Sequence, residues 1–313
     1  MAANLENFVL VYDVGGSHVS AAVCRSGAYQ LGPVVSAPHP AEATSDAFIH
    51  LLYSLGIKAL NGLDVAGGAE LAVPGPFDFA AGISQMRHKL PYLYGIDLRG
   101  HLAELFGWQP GQVRFLLDSA AFLLGEIGAG EARDVPRAVG ITLGTGIGSA
   151  FAVDGRVVTG GRGVPPGGEI WNLPYEGGIV EDCVSTRAIQ GNYQKRTGKL
   201  REVAQIAAIT ASDTNAAAVF ADFGRHLGLA LRMKLAEFGP QVVVIGGGIS
   251  RSSHLFLPAA MKELEGLKMQ LRVSRLLDHA ALTGAAVAWF NNPNVAETPV
   301  PHPAGNVLHA DAI

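Results

Sequence analysis

Short apolar runs that end in glycine or aspartate recur along this chain of 313 residues. The first run ends at Asp13, passes through a Gly15-Gly16-Ser17 turn and continues into a second apolar run up to Val23. Two such runs around a glycine pair predict adjoining strands joined by a tight turn. The run Val242-Val243-Val244-Ile245 is β-branched throughout, which is typical of a strand buried on both faces. Further strands are predicted at residues 69–73, 113–117, 139–143 and 149–153.

Apolar residues at helical spacing lie between these strands and predict an α/β fold. One helix is predicted to begin at an N-cap in Ser45-Asp46. A second helix is predicted to span 98–106 before Gly107, and a third runs from Ser212-Asp213 to about Phe238. Shorter helices are predicted at 120–126, at about 181–194 and at about 279–290. We expect irregular structure at 82–96 and 160–178, and an extended tail at 291–313, which contains four prolines.

Residues 139–155 repeat the pattern of residues 8–24, with an apolar strand, a glycine-rich turn and a second apolar strand. Glycine removes the Cβ that blocks close approach, and successive N–H groups in such a turn can bind an anion. Two such hairpins facing one cleft would form a two-lobed nucleotide site. The alternative interpretation is an ordinary hairpin, whose Asp-X-Gly-Gly sequence is only turn chemistry.

Composition and charge narrow the classes of function. The net charge is −4 and no basic block of five or more residues occurs, which argues against a nucleic-acid partner. No apolar run reaches the roughly 18 residues that a membrane span needs. The N-terminus, MAANLENF, lacks the features of a signal peptide. The two cysteines, Cys24 and Cys183, lie in unrelated contexts, which favours free thiols and a cytoplasmic location.

Four segments carry candidate chemistry: Asp13 to Ser17, Asp118 at the end of a predicted strand, Gly144-Thr145-Gly146-Ile147-Gly148, and Gly246-Gly247-Gly248. Asp13 could hold a hydrated Mg²⁺, which favours one or two carboxylates together with substrate phosphates. A Rossmann site is excluded because a strand rather than a helix is predicted after Gly148. A Walker A site is excluded because the Gly198-Lys199 pair is followed by leucine.

Together these segments resemble the ROK family of sugar kinases and related repressors. The resemblance runs from about residue 8 to about residue 290 and includes Pro74-Gly75-Pro76, Gly168-Glu169-Ile170, Glu181-x-x-x-Ser185 and Thr283-Gly284-Ala285-Ala286. It implies the two-lobed, actin-like ATPase (ribonuclease H-like) fold, with a mixed sheet in each lobe and a cleft between them. The small lobe would span 1–118, joined by the last helix at about 279–290, and the large lobe 119–278.

The resemblance also implies a site for ATP, Mg²⁺ and a small-molecule sugar. Asp118 would be the general base, although a helix N-cap is the plainer role for an aspartate there. Asp13 would lie near a magnesium ion that the nucleotide phosphates also hold. The implied nucleotide-binding residues are Asp13, Gly15, Gly16, Ser17, Gly144, Thr145, Gly146, Gly246, Gly247 and Gly248. The implied sugar-binding residues are Gly75, Glu169, Asn172 and Glu181, of which the two glutamates could instead be solvated loop acids.

The chain departs from the family pattern at the sugar end of the site. Trp171-Asn172 stands where the family has Gly-His, and the cysteine-rich zinc module is absent, so no structural zinc is expected. Asn172 could still bind a sugar hydroxyl, while Trp171 is expected to fill core in place of the zinc module or to stack on a sugar face. Leu117 replaces the asparagine that precedes the base in the family. Lys89 is expected to be a solvated side chain or a donor to the sugar.

These features favour an ATP-dependent, glucokinase-like kinase of a hexose or hexose derivative. One alternative is a non-catalytic sugar sensor of the repressor branch, although only twelve residues precede Asp13, too few for a DNA-binding module. Another is a glucokinase that uses polyphosphate, but a polyanion would favour a basic run that the sequence lacks. Relatives are often dimers, which leaves a homodimer as one option for this chain.

Overall fold

The computed structural model describes residues 8–40, 43–63 and 67–291, and its first part is built on a six-stranded mixed sheet. The elements of this part are β1 (Phe8–Val14), β2 (His18–Arg25), β3 (Gln30–Leu31), β4 (Val35–Pro38), α1 (Ser45–Leu60), β5 (Ala69–Val73), β6 (Phe77–Asp78), β7 (Ile83–Ser84), α2 (Leu98–Phe106) and β8 (Val113–Leu117). The strand order is β3-β2-β1-β5-β8, and β4 also pairs with β2. β1 and β2 are antiparallel, whereas β1, β5 and β8 are parallel, so β1, β5 and β8 all end at one edge of the sheet.

The second part is built on a five-stranded mixed sheet with the order β11-β10-β9-β14-β15. Its elements are α3 (Asp118–Ala129), β9 (Arg137–Leu143), β10 (Ile147–Val153), β11 (Arg156–Val158), β12 (Pro174–Tyr175), β13 (Gly178–Ile179), α4 (Val180–Cys183), α5 (Thr186–Thr197), α6 (Val203–Ala208), α7 (Thr214–Phe238), β14 (Val242–Gly246), α8 (Ser253–Glu263), β15 (Gln270–Val273) and α9 (Ala280–Asn291). β9 and β10 are antiparallel, while β9, β14 and β15 are parallel.

The two sheets are built alike around their hairpins. In each sheet an antiparallel glycine hairpin, β1–β2 or β9–β10, continues through its first strand into parallel pairing. The predicted repeat of residues 8–24 in residues 139–155 is therefore present in the structure. β10 begins at Ile147, two residues before the predicted start, because Ile147 and Gly148 already pair with Leu143 and Thr142.

Helix boundaries follow their caps, and one predicted cap is wrong. The N-cap of α1 is Thr44, whose Oγ1 accepts the Ala47 N–H at 3.3 Å, and not Ser45 or Asp46. Asp213 caps α7 through the N–H groups of Asn215 and Ala216, and Gly239 ends that helix in the left-handed region.

The helix predicted at about 181–194 is two helices, α4 and α5. Ser185 separates them because its extended backbone and its Oγ, which accepts the Ala188 N–H at 3.2 Å, make it the N-cap of α5. α6, α8 and β15 were not predicted; α8 contains Pro258 in its interior, where a proline usually breaks a helix. α3 extends three residues beyond the predicted end.

α3 and α9 pack together between the two sheets. Residues of α9 join the apolar core on one face of the first sheet, and α3 contributes to that core and to the core of the second sheet. α1 and α2 cover the other face of the first sheet, while α7 and α8 cover the other face of the second. Among the described residues no helix combines the length and the apolarity that crossing a bilayer requires. The tail predicted at 291–313 lies, apart from Asn291, outside the described residues.

Candidate active site

Asp118 lies where β8 ends and α3 begins. It is the first residue of the helix, and its Oδ1 accepts the Ser119 N–H at 2.7 Å. The N-cap position is Leu117, so the alternative role of Asp118 as the N-cap is wrong. A carboxylate in the first turn is still favoured there by the helix dipole. Burial raises the pKa of Asp118, while Lys89 and the Ser119 N–H oppose that rise.

Asp13 shares the electrostatic environment of Asp118. Burial, and then the carboxylates of Asp118 and Asp278, raise the pKa of Asp13 to about 7. Asp278 was not predicted as a site residue. It lies in a short 3-10 turn at 277–279 directly before α9 and forms a 2.6 Å ion pair with Arg251. An acidic residue next to the Thr283-Gly284-Ala285-Ala286 motif was the available signal in the sequence.

The two predicted phosphate turns meet each other. A Cβ atom on Gly16 would lie 3.7 Å from Oγ1 of Thr145, so the two glycine hairpins face one another. The first turn is closed by the Gly15 N–H, which donates to the His18 carbonyl at 3.0 Å. In the second turn the Gly144 N–H donates to the Gly146 carbonyl at 2.9 Å.

The Gly246-Gly247-Gly248 segment lies against the second phosphate turn. Gly247 has φ of 82°, a conformation that L side chains rarely adopt, and a Cβ atom there would lie 2.7 Å from the Leu143 nitrogen. Since Leu143 is the last residue before Gly144, this contact fixes the third glycine segment beside the second. Ser250, through its Oγ–H at 2.7 Å and its N–H at 3.0 Å, donates to the Gly247 carbonyl.

The two predicted sugar-binding glutamates lie close to β10. Oε2 of Glu181 accepts the Ile147 N–H at 3.3 Å, which brings this carboxylate to the second phosphate turn. The Glu181 N–H donates to the Trp171 carbonyl at 3.0 Å, and this bond connects the two predicted sugar-binding segments. Glu169 lies between Gly168 and Ile170, and both of these neighbours hydrogen-bond to Ser149, a residue that was not predicted as part of the site.

The remaining residues of the predicted sugar end differ in exposure. Asn172 and Lys89 are exposed, and Trp171 is 37% exposed, so the expectation that Trp171 fills core is wrong. Its neighbours Ile170 and Leu173 pack into the core of the second sheet, so the core reaches this loop without including the Trp171 side chain. Gly75 lies beside Leu117, whose Cδ1 would be 3.5 Å from a Cβ atom on that glycine.

Residues 173–180, which correspond to the zinc module of the resembled family, are held to α7 by a side-chain contact. The β12–β13 hairpin carries Tyr175, whose hydroxyl lies 2.8 Å from Nδ1 of His226 on α7. Burial lowers the pKa of His226, which favours the neutral ring. Within the described ranges, no group of three or more His, Cys, Asp or Glu side chains is arranged to hold a metal ion. His226 was not predicted because it lies 51 residues from its partner in the chain.

Comparison with known proteins agrees with the resemblance found in the sequence along most of the chain. Residues 9–292 match the family described as the ROK family. An N-acetyl-D-glucosamine kinase of Yersinia enterocolitica is 25% identical over 284 residues, which cover 85% of this chain and 91% of the relative. A glucokinase of Thermotoga maritima is 28% identical over 263 residues, which cover 72% of this chain and 81% of the relative.

Solved structures show the same architecture. A ROK hexokinase from Thermus thermophilus superposes with a TM-score of 0.76 at 27% identity, covering 91% of this chain and 99% of the other. A ROK family glucokinase from Streptomyces griseus, solved with glucose and AMPPNP, has a TM-score of 0.76 at 20% identity and covers 89% of this chain and 98% of its own. These likenesses confirm the predicted fold class, the α/β actin-like ATPase fold.

Proposed function

The chain belongs to the ROK family, and from this we propose that it transfers the γ-phosphoryl group of ATP to a hydroxyl of a hexose or hexose derivative, with Asp118 as general base. Its relatives include an N-acetyl-D-glucosamine kinase and a glucokinase, which supports sugar kinase activity for this chain. The observation that carries the proposal is the convergence of Asp118, Asp13 and the two facing glycine hairpins.

The chemistry of Asp118 suits proton removal. A sugar hydroxyl oxygen attacks the γ-phosphorus, the bond from that phosphorus to the leaving ADP oxygen breaks, and the hydroxyl proton passes to the Asp118 carboxylate. Because burial raises the pKa of Asp118, its carboxylate is a stronger base than a solvated one. Assistance of this kind is typically worth about 10²–10⁴-fold in rate.

The glycine segments would hold the nucleotide. Backbone N–H groups of Gly15, Gly16 and Ser17 and of the Gly144-Thr145-Gly146 turn would bind the phosphates from two sides. The 3.7 Å separation between the Gly16 Cβ position and Thr145 Oγ1 supports a single cradle made by both hairpins. The Gly246-Gly247-Gly248 segment would lie against the adenosine, because it packs on the strand that leads into the second turn.

The residues present fit a magnesium ion at Asp13. Burial, together with repulsion from the Asp118 and Asp278 carboxylates, raises the pKa of Asp13 to about 7. A carboxylate in such surroundings is stabilised by a divalent cation, and Mg²⁺ needs only one or two of them when phosphates are present. When bound, the ion would neutralise phosphate charge during transfer.

The acceptor would lie among Gly75, Glu169, Asn172 and Glu181. Carboxylates accept hydrogen bonds from two adjacent hydroxyls, which suits the two glutamates to a sugar. We place the small lobe at residues 1–118 with the helix at about 279–290, and the large lobe at 119–278. Closure of the lobes on both substrates would exclude the water that competes as phosphoryl acceptor.

The test is an ADP-release assay with glucose, N-acetylglucosamine, N-acetylmannosamine and fructose as acceptors. We expect turnover on at least one of them, and a loss of about 10²–10⁴-fold in kcat for Asp118→Asn. Asp154→Asn is the matched control, since it makes the same change at an exposed hairpin turn. Sugar binding without turnover would instead indicate a sensor, and turnover with polyphosphate but not ATP would overturn the proposed donor.

A further inference from the structure

Ser149 of β10 bridges the two peptide groups on either side of Glu169. Its Oγ–H donates to the Gly168 carbonyl at 2.7 Å, and its Oγ accepts the Ile170 N–H at 3.0 Å. The side chain is buried, with 2% of the residue exposed. One hydroxyl thus fixes the backbone immediately before and immediately after the predicted sugar-binding carboxylate.

The segment that Ser149 holds has little regular structure of its own. Gly167 and Gly168 both adopt positive φ, at 71° and 74°, so the chain turns sharply before it reaches Glu169. Two glycines in succession allow many conformations, and an external anchor is what selects one of them. Ser149 is such an anchor because it lies on a central part of the second sheet, opposite Ile141 of β9.

The same strand also contacts the other predicted sugar-binding glutamate. Two residues before Ser149, the Ile147 N–H donates to Oε2 of Glu181 at 3.3 Å. β10 begins directly after the Gly144-Thr145-Gly146 turn, which is the second predicted phosphate turn. The strand therefore connects the phosphoryl end of the site to both acceptor glutamates through two hydrogen-bonded positions.

We infer that Ser149 is a positioning residue for the sugar acceptor, acting through the backbone that carries Glu169. The inference rests on the proposed function, since it assigns Glu169 to the hexose or hexose derivative. Both hydrogen bonds of the Ser149 hydroxyl go to the acceptor segment and not to the phosphate turn. Loss of the hydroxyl therefore affects sugar binding and leaves nucleotide binding intact.

Steady-state kinetics of Ser149→Ala test this separation. We expect KM for the preferred sugar to rise about 5- to 50-fold, because small displacements of a binding group are costly, with KM for ATP within about 2-fold of wild type. Ser149→Cys, which retains a weak donor, should recover part of the affinity. Ser20→Ala is the matched control: Ser20 lies in β2 of the related hairpin and hydrogen-bonds Ser36 at 2.7 Å.

A double-mutant cycle with Glu169→Gln separates positioning from general loss of structure. If Ser149 acts through Glu169, Ser149→Ala should add little to the sugar KM of Glu169→Gln, within about 2-fold. Full additivity of the two changes, or equal rises in the KM values for sugar and ATP, would overturn the inference. Thermal melting of each variant identifies any that fail to fold, and Ser149→Cys then takes the place of Ser149→Ala in the cycle.

Hydrogen exchange tests the same inference without any enzymatic activity. In Ser149→Ala the Ile170 N–H loses its acceptor, so peptides that contain residues 168–172 should exchange at least several-fold faster than in wild type or Ser20→Ala. Unchanged exchange there would contradict the positioning role. Faster exchange in a protein that phosphorylates none of the four sugars would retain the anchor but contradict the proposed function. The two failures are thereby distinguished.

Discussion

Gly125 of α3 and Gly284 of α9 meet backbone to backbone, and a Cβ atom on Gly284 would lie 2.7 Å from the Gly125 nitrogen. The two helices cross here because neither residue has a side chain. α3 begins with Asp118, and α9 follows the short turn that carries Asp278. The crossing therefore fixes the position of Asp118, the predicted base, relative to Asp278.

Gly284→Ala should destabilise the protein by about 1–3 kcal/mol, because the added methyl group meets backbone that cannot rotate away. Gly191→Ala is the matched control, since Gly191 lies inside α5 with nothing within 4 Å of its Cβ position. There the change should be neutral or stabilising by up to about 1 kcal/mol. Urea unfolding measures both, and equal midpoints for the two variants would contradict the tight crossing.

Asp13→Asn should stabilise the ligand-free protein while abolishing phosphoryl transfer. The pKa of Asp13 is about 7 in the folded protein and about 4 when unfolded, so folding disfavours the charged form. The gain in melting temperature should be near zero below pH 4, grow between pH 4 and pH 7, and level off above pH 7 at roughly 2–6 °C.

Calorimetry at pH 4.5, 6 and 8 measures this trend, with Asp154→Asn as the exposed control. A gain that is largest at pH 4.5 would contradict the buried, repelled carboxylate. Addition of Mg²⁺ with ATP should reduce the gain, since the bound cation stabilises the charged form of Asp13 in the wild type.

Lys89→Met should move the acid limb of kcat/KM to higher pH. Lys89 opposes the rise that burial causes in the pKa of Asp118, so removing its charge raises that pKa further. The base is then protonated, and inactive, up to a higher pH. Lys58→Met, a change on the exposed face of α1, is the control. An acid limb that stays in place or moves to lower pH would show that Lys89 does not act on the base.

The hairpins and the glycine turns could be predicted from the sequence because their causes are local. Asp13, the Gly15-Gly16 pair and the flanking apolar runs lie within one short segment, as do β9, β10 and their turn. Glycine supplies both the turn conformation and the absence of a Cβ, so the residue type carries the information. The same holds for the strand at Val242–Gly246 and for the ends of α2 and α7 at Gly107 and Gly239.

The supporting contacts could not be predicted, because their partners are distant in the chain. The Ser149 hydroxyl meets peptide groups about 20 residues away, and His226 meets Tyr175 across 51 residues. A serine in an apolar strand or a histidine in a helix has no local pattern that names its partner. The prediction that Trp171 is buried failed for the same reason, since burial depends on which elements cover a loop.

Gly247→Ala should weaken nucleotide binding selectively. The residue needs φ of 82°, and a Cβ atom would meet the Leu143 backbone, so the third glycine segment must move away from the second phosphate turn. We expect KM for ATP to rise about tenfold or more with the sugar KM little changed. Gly155 has a similar positive φ, at 77°, and open space around its Cβ position, so Gly155→Ala controls for backbone strain alone. Equal effects of the two variants on KM for ATP would contradict the proposed contact.

The contact between Tyr175 and His226 should hold the β12–β13 hairpin against α7 without a metal ion. The 2.8 Å hydrogen bond and the perpendicular ring packing at 5.7 Å connect this hairpin to α7. Tyr175→Phe should therefore cost about 0.5–1.5 kcal/mol, with Tyr53→Phe on α1 as the control. A structural zinc would contribute directly to folding, and its removal would lower the melting temperature. Because the Tyr175–His226 contact holds this hairpin instead, chelator treatment should leave the melting temperature of the wild type unchanged. Metal analysis that finds one tightly bound zinc ion per chain would contradict this account of the hairpin.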